Sequence, residues 1–360
     1  MKKILIISNH SFMLWRFRRE LIEALLAQGH EIVISVPFGD HVDDFRVLGC
    51  RLIDTAVDRR GINPLTDCRL FAAYRKILSE EKPSLVITYS IKPNIYAGLL
   101  CRCMHIPYCA NVQGLGTAFQ RAMLTPVITR LYRSALKCAH TVFFENDVNA
   151  ALFREKHIIS AEQQCLLRGA GINLERYPAS PFPANHPVRF LYLGRLMTEK
   201  GVRELFEAAQ RLHAEGFDFR LDLVGFFEDI SQTEVEHLQN LGIVHFHGFQ
   251  QDPLPWYVAA DCVVLPSWHE GMSNVLLEGA ACARPLITTD IPGCREAVEP
   301  GVSGLLCQPH DSSSLGRAMK DFLSMTPAQQ EAMGLAGRKR METLFAKEQV
   351  VRNTLQGLGL

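Results

Sequence analysis

The chain has 360 residues, 48% of them hydrophobic and 21% charged, and its 38 basic and 38 acidic side chains cancel. Those values describe an ordinary soluble protein long enough for two domains. A formal charge of zero leaves no global field to draw the chain to nucleic acid or to an anionic membrane. No stretch approaches the about eighteen apolar residues that a spanning helix needs. The apolar start stops at Asn9-His10, short of a secretory h-region, and reads as a buried strand. Eleven cysteines without a CxxC pair fit buried thiols in a reducing cytoplasm better than a disulfide framework or a metal site.

In chain order, residues 3–8 are the first strand. Over 14–28 apolar residues recur at helical spacing (Leu14, Phe17, Leu21, Ile22, Leu25), and Gly29 stands where a helix C′ residue belongs. Residues 31–36 are a second strand closed by Pro37 and Gly39, and 51–57 a third. A helix over 67–79 stops at Lys82-Pro83, and strands over 84–89, 106–112 and 141–145 follow with helical material between the last two. Pro178, Pro181, Pro183 and Pro187 then mark a linker over about 177–187. The alternation restarts with strands over 189–194, 219–225, 243–247, 263–266 and 285–289, a helix over 202–215, and helices from about Ser313 to the end. This pattern predicts an α/β protein of two Rossmann-like domains, 1–180 and 187–344. Their parallel sheets should face a cleft, with a last helix (345–360) packing back on the first domain.

The most informative stretch is 267–280, which reads as a loop after a strand and then a helix. Ser273 or Asn274 suits its N-cap. The unpaired amides and dipole of a helix start favour an anion there. Glu270 lies in the loop just before this start, and Glu278 lies inside the helix, roughly 6–7 Å along its axis from the start. Two carboxylates thus flank a seat for a phosphate. The loop 194–201 follows the first strand of the second domain and carries two cations. Arg195 can take a phosphate bidentately and Lys200 can add a point charge. A solvated loop and a surface glutamate are the plainer accounts of these residues. Nearer the start, Phe12, Met13, Leu14, Trp15 and Phe17 interleave with Arg16, Arg18 and Arg19. That run is either a helix with a core face and a solvated basic face, or a patch for headgroups and an acceptor diphosphate.

Together these residues resemble the retaining family 4 glycosyltransferases of GT-B fold. Glu270 and Glu278 make an E-x7-E pattern, and Gly194-Arg195-Leu196 with Glu199-Lys200-Gly201 resembles that family's phosphate loop. Asp261, Pro266-Ser267, Gly271-Met272-Ser273, Pro292-Gly293, Glu296, Gly301 and Gly304-Leu305 continue the likeness. The first domain is similar to bacterial transferases of surface-polysaccharide and lipid-linked oligosaccharide assembly, of the kind that adds N-acetylgalactosamine to a polyprenyl-diphosphate sugar. That likeness rests on residues 9–18, on 88–96 and on Gln113-Gly114-Leu115-Gly116.

The resemblance implies a UDP-sugar as donor, a lipid-linked saccharide as acceptor, and retention of the anomeric configuration through same-face attack. Arg195 and Lys200 would stabilise the leaving UDP. Glu270, with the amides of Gly271, Met272, Ser273 and Asn274, would hold the sugar and the β-phosphate, close to Gly194. Glu278 would accept from the ribose, and the base would lie by Phe249. Asn9, Phe12, Trp15, Arg16, Arg18, Arg19, Lys92, Gln113 and Gly114 are the candidates for contact with the acceptor or with the cytoplasmic face of a membrane. No DxD pair occurs, so no metal or other cofactor is expected. The chain departs from many relatives in having no histidine at Asn111-Val112-Gln113, so no first-domain general base is assigned. It also lacks a second glycine after Val224-Gly225.

Three rivals are weaker. An epimerase or phosphorylase would not need this acid spacing. A two-domain binding protein of this shape is normally exported. A nicotinamide dehydrogenase would rest on residues 114–119, where the third glycine of the fingerprint is missing.

Overall fold

The computed structural model describes residues 1–57, 63–114 and 125–360. The chain divides into two compact units, one of Met1–Ala170 with Glu348–Leu360, the other of Gly171–Lys347. Unit 1 holds strands β1 (Lys3–Ile7), β2 (Glu31–Val36), β3 (Arg51–Asp54), β4 (Leu85–Tyr89), β5 (Tyr108–Val112), β6 (Thr141–Phe144) and β7 (Gln164–Leu166). They form one sheet in the order β3-β2-β1-β4-β5-β6-β7, and its ladders are parallel, from Lys3 beside Glu31 to Phe144 beside Leu166.

Alternate residues of β1 enter different cores. Leu5 and Ile7 pack with Tyr74, Leu100 and Phe144, whereas Ile4 and Ile6 pack with Leu21, Ile22 and Leu358. Both faces are therefore covered, which is why the strand is apolar throughout instead of alternating. The last helix, Lys347–Gly357, sends Val351 and Leu355 against the second of these cores.

Unit 2 holds β8 (Val188–Leu193), β9 (Phe219–Val224), β10 (Val244–Phe246), β11 (Cys262–Leu265), β12 (Leu286–Thr289) and β13 (Gly304–Cys307). Their order is β10-β9-β8-β11-β12-β13, again parallel. Phe190, Leu221, Val263 and Ile287 meet Leu205, Leu277 and Phe322 in one core. The α/β architecture with two parallel Rossmann-like sheets is as expected. The short strands β7 and β13, of three and four residues, are additions that periodicity does not reveal.

The proline-rich stretch departs from its expectation. It belongs to unit 2, whose boundary lies at 170/171 instead of 180. The reason is Arg284, which is fully buried. Its guanidinium donates to the carbonyls of Ser180 at 3.3 Å, Pro181 at 2.8 Å and Tyr257 at 3.0 Å. Asn185 adds two bonds to the buried Asp261, at 3.0 and 2.9 Å. A segment without helix or strand is thus bound along its length by side chains that satisfy its backbone.

Asp222 on β9 is the charged centre of this unit. It accepts from Arg189 at 2.9 Å, from Arg220 at 2.9 Å and lies 2.7 Å from His247 Nε2. Burial works to raise its pKa, but these hydrogen bonds and charges outweigh burial and hold it below the ordinary aspartate range. Because the folded value lies below the unfolded one, this stabilisation is complete above about pH 4 and is lost as pH falls through the folded value. Asp222→Asn is therefore expected to cost about 1–3 kcal/mol at pH 7. The cost should shrink toward pH 3. Urea denaturation at both pH values checks this, and an equal loss at each would contradict it.

Candidate functional site

In unit 2 the strands β8 and β11 are neighbours although far apart in sequence, so the order of the sheet reverses between them. Ligands of open α/β sheets bind outside the carboxyl ends of the strands at such a point. The loops that leave β8 and β11 are 194–201 and 266–273, the two stretches marked by sequence. Gly201 lets them touch. It has φ +69°, and a Cβ there would lie 1.9 Å from the carbonyl oxygen of Pro266. The Trp268 amide donates to the Glu199 carbonyl at 3.0 Å, and its indole N–H donates to Glu204 at 3.0 Å.

So joined, the loops bring Lys200 Nζ to 2.5 Å from Glu270 Oε1, an oxygen that also accepts from Ser267 Oγ at 2.8 Å. The 270–273 loop is propped from beneath. A Cβ on Gly293 (φ +87°) would sit 2.7 Å from the carbonyl oxygens of both Glu270 and Gly271. The Ser273 amide donates to the Gly293 carbonyl at 2.9 Å, and Glu296 accepts from the Gly293 amide at 2.7 Å.

The helix that follows is Asn274–Ala281, and Ser273 is its N-cap, accepting from the Leu276 amide at 3.5 Å. Glu278 is no surface glutamate: it is 3% exposed and accepts from the buried Tyr257 hydroxyl at 2.9 Å. Arg195 turns to a different partner, Glu228, with Nη1 2.6 Å from its carboxylate. Next to it Asp229 accepts from the Thr198 amide at 2.7 Å. Glu228, Asp229 and Tyr257 carry no sequence signal of their own, since each is recognisable only by what it bonds.

Burial, reinforced by the charge of Glu270, raises the Tyr192 hydroxyl and the Cys294 thiol well above their ordinary pKa ranges. Both stay protonated at neutral pH, and Tyr192 donates to the Arg195 carbonyl at 2.6 Å. Phe249 is 58% exposed and meets Phe226, 47% exposed, edge to face at 6.3 Å. Two adjacent exposed aromatic rings offer a surface on which a planar ring can stack. Among the described residues no group of three or more His, Cys, Asp or Glu side chains could hold a metal ion.

Unit 1 has its own cavity, of about 340 Å³, at the carboxyl ends of β1, β4 and β5. Asn9, Lys92, Gln113 and Gly114 line it together, with Ser90. Ser90 Oγ donates to Asn9 at 2.8 Å, and Lys92 pairs with Asp67 at 2.7 Å. Leu115, Gly116 and the rest of 115–119 lie outside the described residues.

The basic run of 12–19 does not join this cavity. It lies on the helix Ser11–Ala27. Arg18, expected on an exposed patch, is instead buried in a 2.8 Å pair with Glu145 and stacks over the Tyr89 ring. Trp15 stacks on His41 at 5.5 Å, and Phe12 lies 5.6 Å from the same ring. Arg19 pairs with Glu23 and stacks on Trp15, and Arg16 lies over Phe17. The helix therefore presents much less free positive charge than its sequence suggests. No helix among the described residues is long and apolar enough to cross a membrane.

Comparison with known proteins gives this geometry its context. Residues 187–325 match the family "Glycosyl transferases group 1", and residues 14–170 match "Glycosyl transferase 4-like domain". A Campylobacter jejuni protein described as N,N'-diacetylbacillosaminyl-diphospho-undecaprenol alpha-1,3-N-acetylgalactosaminyltransferase is 28% identical over 335 residues, 88% of each chain. The capsular polysaccharide biosynthesis glycosyltransferase CapM of Staphylococcus aureus is 28% identical over 161 residues, 44% of this chain and 42% of that one. The Anabaena protein HepE, solved in complex with UDP-glucose, has the same fold, with a TM-score of 0.81 over 100% of both chains at 17% identity. With residues 14–170 and 187–325 matched in turn, the chain belongs to the glycosyltransferases of these two families.

Proposed function

We propose that this glycosyltransferase moves a hexose or N-acetylhexosamine from a UDP-sugar to a saccharide carried on a polyprenyl diphosphate, with retention at the anomeric carbon. The observation that carries this reading is the joined pair of loops in unit 2: one bears Arg195 and Lys200, and the other, held to it through Lys200 and Glu270, leads into the helix Asn274–Ala281. Two cations on a loop that touches the segment leading into a helix start suit a diphosphate. The C. jejuni relative's description names a diphospho-undecaprenol acceptor, and HepE was solved with UDP-glucose. Both support the choice of substrates.

On this reading the acceptor hydroxyl oxygen bonds to the anomeric carbon on the face from which UDP departs. The bond from that carbon to the β-phosphate oxygen breaks, and the leaving phosphate takes the hydroxyl proton. Lys200 and Arg195 offset the charge that grows on that oxygen, and the helix amides add fixed dipoles. Glu278, held by Tyr257, accepts from the ribose. Glu270, held by Lys200 and Ser267, orients the sugar hydroxyls. Phe249 and Phe226 flank the base. Asn9, Lys92 and Gln113 supply polar groups for the acceptor in the unit 1 cavity. Contact with the membrane surface is peripheral and comes with the lipid acceptor, since the cations of the Ser11–Ala27 helix are largely engaged.

The test is UDP release from a panel of UDP-sugars, with and without a polyprenyl-diphosphate saccharide, and NMR of the product linkage. We expect turnover that needs both substrates and gives a retained anomer. Interconversion of the donor sugar without acceptor would point to an epimerase, and an inverted linkage would refute retention.

A further inference from the structure

The diphosphate seat carries an acid whose place in the reaction is not accounted for. Glu228 follows β9, and the chain there runs beside the phosphate loop. Leu196 and Phe227 form a parallel bridge, and the Glu228 amide donates to the Leu196 carbonyl at 3.1 Å. These backbone contacts hold the carboxylate of Glu228 2.6 Å from Arg195 Nη1. The side chain of Glu228 is 18% exposed and that of Arg195 is 41% exposed. The acid is thus sheltered from water while the guanidinium remains open to an incoming ligand. Of the five N–H donors of Arg195, a phosphate arriving on the open edge finds the opposite edge already occupied by a negative charge. Two like charges on opposite edges of one guanidinium, about 6 Å apart and well within a Debye length, repel. The neighbouring Asp229 differs, since it accepts from the Thr198 amide and braces the loop.

We propose that Glu228 sets the affinity of the donor site for the diphosphate. It competes with the phosphate for Arg195, weakens the hold on UDP and speeds its departure after transfer. This inference rests on the reading of the unit 2 seat given above.

Titration calorimetry of the full chain with UDP, UMP and uridine tests it. In Glu228→Gln, UDP should bind about tenfold more tightly, UMP by a smaller factor, and uridine unchanged. In turnover the donor KM should fall without a rise in kcat. A bracing role would not produce a gain graded by ligand charge. UDP affinity equal to or weaker than that of the parent protein, in a variant with the parent's unfolding temperature, overturns the proposal. Should that variant not fold, Glu228→Ala is read by the same criteria. Arg195→Ala separates the two levels: if it binds UDP as the parent does, the seat itself is misassigned. If it loses UDP while Glu228→Gln gains nothing, only the present inference fails.

Discussion

Lys200→Ala is expected to lower kcat/KM for the UDP-sugar by about 10²- to 10³-fold. Two deficits combine. The leaving diphosphate loses a positive charge, and Glu270 keeps a carboxylate whose remaining partner at that oxygen is the Ser267 hydroxyl. An uncompensated acid would repel a diphosphate arriving at the proposed seat. The double variant Lys200→Met with Glu270→Gln removes both charges together. It should therefore lose less than the sum of its single variants, because residues in direct contact are coupled. Turnover read by UDP release over the four members of this cycle is the measurement. Additive losses would mean that Lys200 and Glu270 act independently.

Gly201→Ala should be nearly as damaging for a steric reason. The new Cβ would fall 1.9 Å from the Pro266 oxygen and 2.7 Å from its carbonyl carbon, both backbone atoms that cannot turn aside. The left-handed backbone adds its own penalty for an L side chain. Together these predict a loss of about 2–4 kcal/mol, with Lys200 displaced from Glu270 and the donor KM raised. Gly216 is the control, since its φ of +83° is similar but its Cβ would meet nothing within 4 Å. Gly216→Ala should cost only about 1 kcal/mol and leave KM alone. Urea midpoints and donor kinetics on both variants decide the matter. Equal effects at the two positions would show that the Pro266 contact is unimportant.

Much of the seat proposed in unit 2 was legible because its parts lie close in sequence and at junctions with strong local signals. Strand, loop and helix over 262–281 can be read from composition, and Glu270 and Glu278 stand at its marked positions. What sequence lacks is the partner across the fold. Glu228 lies 33 residues from Arg195, and nothing in its own neighbourhood announces the pair.

The same blindness misled in unit 1. Arginines among aromatic residues look like a basic surface, yet Arg18 finds Glu145 at a separation of 127 residues and is buried with it. Prolines likewise signal an absence of regular structure but not of attachment. The stretch 177–187 reads as a linker from its own residues, and its bonds to Arg284 and Asp261 reveal that it is bound to unit 2. The strands β7 and β13 were not expected from sequence, and length alone is not the reason, since β10 and β11 are as short.

The last helix has a consequence for the order in which the protein can be completed. Unit 1 is made from both ends of the chain. Leu358 packs in the same core as Ile4, Cys109 and Phe143, and the Thr141 hydroxyl donates to the Gly357 carbonyl at 2.7 Å. During synthesis the residues up to Ala170 leave the ribosome without this closing piece. All of Gly171–Lys347 must be translated before it arrives, roughly ten to thirty seconds later at ordinary elongation rates. Over that interval one apolar face of the nascent sheet is partly uncovered while the second unit, a single uninterrupted segment, can already fold. The first unit to begin is therefore completed only after the whole of the second has been translated.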